Sequence, residues 1–307
     1  MARYVARRLA WTVVVLWAIA TLTFAATFLS PVDPAKSFAG LRATHHQIQV
    51  VRHQFGLDRP VYVQYERYLG RVIRGDLGTS YEYSTSVGQM VMTALPKTAV
   101  LGFSGLLVEL VIGLPLGLLA GLHRGRLADR VVLVGSLLGV VIPSFVLGFV
   151  LLYLLAFKLG WFPLGGSDSF SALVLPAITL GIAGGAWYAR MLRSTVLNIV
   201  GEDYVRLARA KGLPERVVIG RHVLRNAVSP IITMIALDLG VFLGGVLVIE
   251  RVFAWPGIGL QAWEALEFND IPVVMGTVLI AATFIVLLNL MADVVNAIID
   301  PRVRYSR

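Results

Sequence analysis

Cysteine is absent from the 307 residues, and charge is scarce, with Asp, Glu, Lys and Arg together making up 15%. The first absence excludes a disulfide scaffold, a thiolate metal site and a thiol nucleophile. The second excludes an ordinary soluble domain, in which about 25% of residues are charged and roughly 45–50% apolar. Lysine is rare too: Lys36, Lys97, Lys158 and Lys211 are all there are, and none stands in the G-x-x-x-x-G-K-[ST] context of a nucleotide-binding P-loop. What is abundant is apolar. Hydrophobic residues reach 57% and mean hydropathy +0.77, which calls for a lipid bilayer as solvent and excludes disorder. The apolar stretches show no apolar/polar alternation of a membrane barrel, so helices must satisfy the backbone.

A spanning helix needs about 20 mostly apolar residues. Six stretches qualify, approximately Leu9–Leu29, Thr98–Ala120, Val131–Phe157, Leu173–Ala189, Asn226–Ile249 and Met275–Ile299; the fourth is short, Gly-rich and opened by Pro176. The fold class is an all-α polytopic membrane protein. Met1–Leu29 has the basic start and apolar run of a secretory signal, but its run exceeds a signal's roughly 7–15 residues, so it reads as an uncleaved first helix.

The net charge of +9 comes from 27 Lys and Arg against 18 Asp and Glu. Loops with excess Lys and Arg stay in the cytoplasm. Arg3, Arg7 and Arg8 precede the first span, Arg124, Arg126 and Arg130 fill the 121–130 loop, eight basic residues lie in the 190–225 loop, and Arg302, Arg304 and Arg307 close the chain. The short loops opposite hold Lys158 and Arg251 alone. Both termini are therefore cytoplasmic, and the basicity is a topology signal rather than a mark of nucleic-acid binding. The chain divides into a first helix at 1–29, an extracytoplasmic insert at 30–97 and a five-helix body at 98–307 with the cytoplasmic loop 190–225.

Within that loop the run Gly201-Glu202-Asp203-Tyr204-Val205-Arg206-Leu207-Ala208-Arg209-Ala210-Lys211-Gly212-Leu213-Pro214 predicts a short helix outside the membrane. Acidic residues at its start and basic ones at its end suit the helix dipole, and Gly212 with Pro214 stops it. Ala208, Ala210 and Gly212 are small enough to admit a partner's backbone, unless the stretch is simply a solvated basic loop beside anionic lipid.

This stretch, continued through Arg221-His222-Val223-Leu224-Arg225-Asn226-Ala227-Val228-Ser229-Pro230, resembles the cytoplasmic signature loop of permease subunits of binding-protein-dependent ABC importers. The form is that of the dipeptide, oligopeptide and nickel branch, and of its first, "B"-type permease. The likeness runs in order along nearly the whole chain: Ser30-Pro31-Val32-Asp33-Pro34, Phe55-Gly56-Leu57-Asp58-Arg59-Pro60, Gly75-Asp76-Leu77-Gly78-Thr79-Ser80, Gly113-Leu114-Pro115-Leu116-Gly117, Pro143-Ser144-Phe145, Leu159-Gly160-Trp161-Phe162-Pro163, Glu250-Arg251-Val252-Phe253-Ala254-Trp255-Pro256-Gly257-Ile258-Gly259 and Asp300-Pro301-Arg302. Two departures stand out. Arg206 and Leu207 replace the first two letters of the family's Glu-Ala-Ala, and Val32 stands where the early motif usually has Gly.

The resemblance implies a type I importer permease fold in the bacterial inner membrane. It also implies a second, related permease, two ATPase domains that bind ATP and Mg, and an extracytoplasmic solute-binding protein; this chain would bind no cofactor and no metal and would not itself be an enzyme. The coupling helix would present Glu202, Tyr204, Arg206, Ala208, Arg209, Ala210, Lys211 and Gly212 to an ATPase. Peptide is the default cargo, with nickel and haem as alternatives within the family.

Acidic residues inside a span cost about 2.5–3.5 kcal/mol to insert and are functional candidates by default. Glu109 and Asp238 fall near mid-span and are candidates for the translocation pathway, whereas Asp293 lies near a cytoplasmic end and reads as structural. Tyr81, Tyr83 and Trp255 are expected as exposed aromatics at the binding-protein docking surface, or as interface anchors. Two other functions each fit a single feature of the sequence. Gly102-Phe103-Ser104-Gly105 resembles a rhomboid nucleophile motif, but all five histidines lie outside the spans, where none can serve as base. A proton relay through Glu109 and Asp238 would make an ion-driven secondary transporter.

Overall fold

The computed structural model describes residues 2–29, 33–39, 43–54, 56–243 and 246–299, without the side chains of 2–5, 27–29, 34, 37–38 and 292–299. The Ser30-Pro31-Val32 stretch, the Asp300-Pro301-Arg302 motif and the Asp293 side chain lie outside that description. Among the described residues the chain is helical, with one isolated antiparallel bridge between Thr79 and Ser86 and no strand.

Five helices or continuous helical runs are long and apolar enough to cross a membrane, over Ala6–Ala26, Val87–Leu122, Phe170–Val200, Glu215–Leu243 and Ile271–Met291. The first belongs to α1 (Ala2–Leu29) and the second is α5 (Val87–Leu122). Between them lie α2 (Pro34–Ala39), α3 (His45–Gln54) and α4 (Val61–Ile73) of the insert. At about 54 Å, α5 is longer than a bilayer core of about 30 Å, so the boundary expected at 97/98 falls within one continuous helix.

The third expected span is not one rod. It consists of α6 (Leu127–Val141) and α7 (Ser144–Leu151), the latter continued by a π-helical turn to Lys158, and the two halves meet at 96°. Pro143 is the cause: it disfavours helical backbone at the residue before it, and Ile142 is extended (φ −72°, ψ 119°). Counted as one broken crossing, the pair is the sixth span.

The fourth span, which its glycines made look weakest, is α8 (Phe170–Val200), the span with the largest buried share. Each mid-helix glycine costs about 1 kcal/mol in propensity, but here the missing side chains are what let α5 and α8 approach. A β-carbon on Gly117 would stand 2.6 Å from the Ala189 carbonyl oxygen, one on Gly113 2.5 Å from Tyr188 Cβ, and one on Gly121 2.7 Å from Val196. From the α8 side, Gly181 receives Val108 and Gly184 receives Glu109. Spacing of four along α5 keeps these residues on one face, the small-xxx-small contact of membrane helices. Gly102 and Gly105 belong to the same kind of contact, against Phe242 and Leu180.

After α8 come α9 (Asp203–Ala210), the short α10 (Glu215–Val217) with a π-helical turn Val218–Leu224, and α11 (Arg225–Leu243). Then follow α12 (Leu247–Val252), α13 (Ile258–Glu267) and α14 (Ile271–Ile299). One apolar core runs from Leu101 and Leu175 through Tyr188, Leu192 and Val196 to Val205 and Val223, joining the transmembrane body to the cytoplasmic loop. A smaller cluster holds α1 against α4 and α14, with Phe24 between Tyr65 and Tyr68.

Candidate functional site

The cytoplasmic loop forms the short helix that its charges foretold. Asp203 lies in the first turn of α9 and Arg209 in the last, in keeping with the helix dipole. Val205 and Ala208 turn inward onto a core that includes Val218 and Val223 of the π-helical turn. Glu202, Tyr204, Arg206, Leu207, Arg209, Ala210, Lys211, Gly212 and Leu213 are exposed. Ala208, expected on the partner-facing side, is thus a core residue: it lies three positions from Val205, on the same face.

The end of α9 is closed by a pair of backbone bonds. Gly212 N–H donates to the Arg209 carbonyl at 2.9 Å and Leu213 N–H to the Ala208 carbonyl at 3.4 Å, with Gly212 left-handed at φ +72°. This is the Schellman closure, which favours glycine at that one position. Across the turn, Arg209 grips Glu215 with two bonds, Nη2 to Oε1 at 2.7 Å and Nε to Oε2 at 3.2 Å. Asn226 Nδ2 donates to the Tyr204 hydroxyl at 3.2 Å, and Arg206 stands 3.7 Å from Asp203. The result is a braced platform whose outer apolar side chains, Leu207 at 55% exposure foremost, are left uncovered among the described residues.

Within the membrane, Glu109, Tyr188 and Asp238 converge from α5, α8 and α11. The Tyr188 hydroxyl donates to Asp238 Oδ2 at 2.5 Å. Glu109 is 3% exposed, lies against Gly184, and its Oε2 has no hydrogen-bond partner among the described residues. Asp238 is half-buried. The two acidic residues singled out in the sequence therefore share one neighbourhood, with Tyr188 as a member that its aromatic type alone did not mark.

On the extracytoplasmic side the aromatics divide. Tyr83 is 53% exposed, as expected. Tyr81 is half-buried, and burial together with the Asp270 carboxylate pushes its phenol up to about 12. Trp255 corrects the expectation: it is 3% exposed, and its indole N–H donates to the Lys97 carbonyl at 2.9 Å. A ring with one polar atom is well placed in a core when that atom finds an acceptor.

Two buried carboxylates that the sequence did not single out organise this side. Glu250, fully buried, accepts from the Thr98 hydroxyl at 2.7 Å and from Leu260 N–H at 2.9 Å, so it serves the N-terminus of α13. Gly257 and Gly259 lack side chains where a β-carbon would strike that carboxylate, at 2.3 and 2.9 Å. Asp270 accepts from the Ser80 hydroxyl, from Tyr81 N–H at 3.1 Å and from Glu82 N–H at 3.2 Å. It pins the turn that carries Tyr83. The only trace of either carboxylate in the sequence is that Glu250 and Ser80 sit at the ends of motifs.

Residues 113–305 match the family described as "Binding-protein-dependent transport system inner membrane component", and residues 1–102 match its N-terminal companion, "Binding-prot-dependent transport system membrane comp, N-term". The glutathione transport system permease protein GsiC of Salmonella paratyphi A is 38% identical over 306 residues, and that of Escherichia coli K12 36%, each covering the whole of both chains. Among solved structures, an inward-facing form of the MetNI methionine ABC transporter aligns with TM-score 0.53 at 19% identity, over 69% of this chain and 97% of the other. An amino acid ABC transporter with histidines aligns at 0.51 and 16%, over 70% and 94%. These two likenesses bear on the fold alone, which is that of type I importer permeases.

Proposed function

The chain belongs to the family of binding-protein-dependent transport system inner membrane components, and from that premise we propose that it is the permease subunit of an ATP-driven importer of short peptides. A multi-pass inner-membrane subunit of this kind is a pathway, with hydrolysis carried out on other chains. The partners are two ATPase domains, a second related permease and an extracytoplasmic solute-binding protein.

The observation that carries the energy source is the α9 platform. It has an apolar, basic outer face, a rigid glycine-closed end and a buried inner face continuous with the transmembrane core. An ATPase seated there would displace α8 and α11 together, which is coupling between distant sites through packed elements. The cargo class is supported by the relatives named for glutathione, itself a tripeptide. Glu109 and Asp238 are the groups in the membrane to which a peptide's ammonium could pair, although Glu109 is sealed by Gly184 in this conformation.

The test is uptake into proteoliposomes holding the chain with its partner permease, ATPases and binding protein, assayed with labelled glutathione and a labelled dipeptide. Uptake should require ATP and the binding protein and should survive collapse of ion gradients. Uptake that fails with an ionophore and ignores ATP would establish the secondary-transporter reading instead. An Asp238→Asn variant with unchanged uptake of both cargoes would remove that residue from the pathway.

A further inference from the structure

The cytoplasmic ends of α6 and α8 are joined by an ion pair that the proposed transport cycle has not used. Arg193 donates through Nε to Asp129 Oδ1 at 2.5 Å and through Nη2 to Asp129 Oδ2 at 3.0 Å, and Gly125 N–H donates to Oδ2 at 2.8 Å. Asp129 is buried and lies in the first turn of α6, where the helix dipole favours a carboxylate. A guanidinium fork on a carboxylate sets direction and distance as well as charge, which an ammonium would not do.

Around this pair α6 and α8 are in direct contact. Val132 packs with Ala120 and Ala189, and a β-carbon on Gly139 would stand 3.0 Å from Ala186 Cβ. In the other direction α8 passes the buried Val196 and reaches α9 through Gly201. The far end of α6 is different. The 96° bend separates it from α7, which packs against α8 in its own right and sets Gly148 against Val252 and Phe253 near the Glu250 site.

We infer that Asp129 and Arg193 are positioning residues for coupling: because the bend at Ile142–Pro143 denies α6 a straight continuation into α7, the pair is what makes α6, one half of the broken span, move as one body with α8 and the α9 platform. The functional consequence rests on α9 being the ATPase-facing element; the bracing itself does not. Asp129 and Arg193 touch neither cargo nor nucleotide in this account. Their effect passes through the orientation of α6.

The absence of cysteine allows spin labels at Val131→Cys and Leu207→Cys, two exposed positions, in the full chain in lipid nanodiscs. The parent chain should give one narrow distance distribution, Asp129→Asn a broadened one, and Arg193→Lys, which keeps the charge but loses the fork, an intermediate one. In the reconstituted complex without labels, Asp129→Asn should lower peptide uptake per ATP hydrolysed about tenfold, with hydrolysis and the amount of assembled complex retained. The inference is overturned if Asp129→Asn keeps the narrow distribution, or if uptake and hydrolysis fall together in proportion to assembled complex, as a merely structural role requires. Should the parent complex show no ATP-dependent uptake, the importer reading fails, while the label distances in the chain alone still decide whether the pair braces α6.

Discussion

Glycine does opposite work in two regions of this molecule. Along the α5–α8 contact Gly113, Gly117 and Gly121 are ordinary helical residues whose missing β-carbons make room for the neighbouring helix, within 2.7 Å in every case. At the end of α9, Gly212 meets nothing within 4 Å, and what matters is its backbone, left-handed at φ +72°. The first set serves packing inside the membrane; the second serves the shape of an exposed docking platform. Substitutions should therefore separate stability from transport.

The largest effect is expected at the platform. Gly212→Asp should insert and accumulate normally, because its side chain enters open space, yet abolish uptake and ATPase coupling by distorting the α9 closure and adding negative charge to a basic face. Gly212→Ala carries only the backbone strain, about 1–2 kcal/mol, and should retain part of the uptake. Normal transport by Gly212→Asp in membrane vesicles would contradict the assigned role of α9.

Gly117→Ala should show the reverse pattern. The new methyl meets backbone atoms of Ala189 rather than a movable side-chain tip, so overpacking should cost about 1–3 kcal/mol, read as a lower melting temperature in detergent, with uptake per folded molecule nearly preserved. An unchanged melting temperature would mean that the two helices can part without cost. Smallest of all, Arg209→Ala should cost about 0.2–1 kcal/mol, the usual range for an exposed pair, while loosening the brace to Glu215 enough to reduce uptake modestly. Hydrogen exchange at residues 209–215 is the sensitive measurement.

The same division explains what was legible beforehand. The spans, the sidedness of the basic loops and the amphipathic character of α9 follow from local composition, because transfer into lipid and attraction to one membrane face act on each segment nearly independently. The residues whose local reading fails all depend on distant partners. Nothing local shows that the Trp255 indole reaches Lys97, so the ring reads as exposed, and nothing local shows which side of α9 Val218 and Val223 cover, so Ala208 reads as facing a partner. The glycines of α8 weaken it by propensity, and only the close approach of α5 gives them a use. Pro143 is visible in the sequence as part of a motif, but the 96° bend at it is not.

For the candidate site, sequence alone identified Glu109 and Asp238 as costly intramembrane acids but could not place them together or add Tyr188, whose hydroxyl meets Asp238. Nor could it show that Glu250 and Asp270 hold the extracytoplasmic turns, or that Arg193 reaches Asp129 across 64 positions. By itself the sequence determined the solvent, the approximate crossings, the orientation and the loop that meets the cytoplasm, since these depend on how each segment partitions. Tertiary structure alone decided which polar groups pair, which small residues serve contact rather than freedom, and where one crossing breaks. Those outcomes depend on which remote segment arrives at a given point, a property of the whole packed chain and not of any stretch within it.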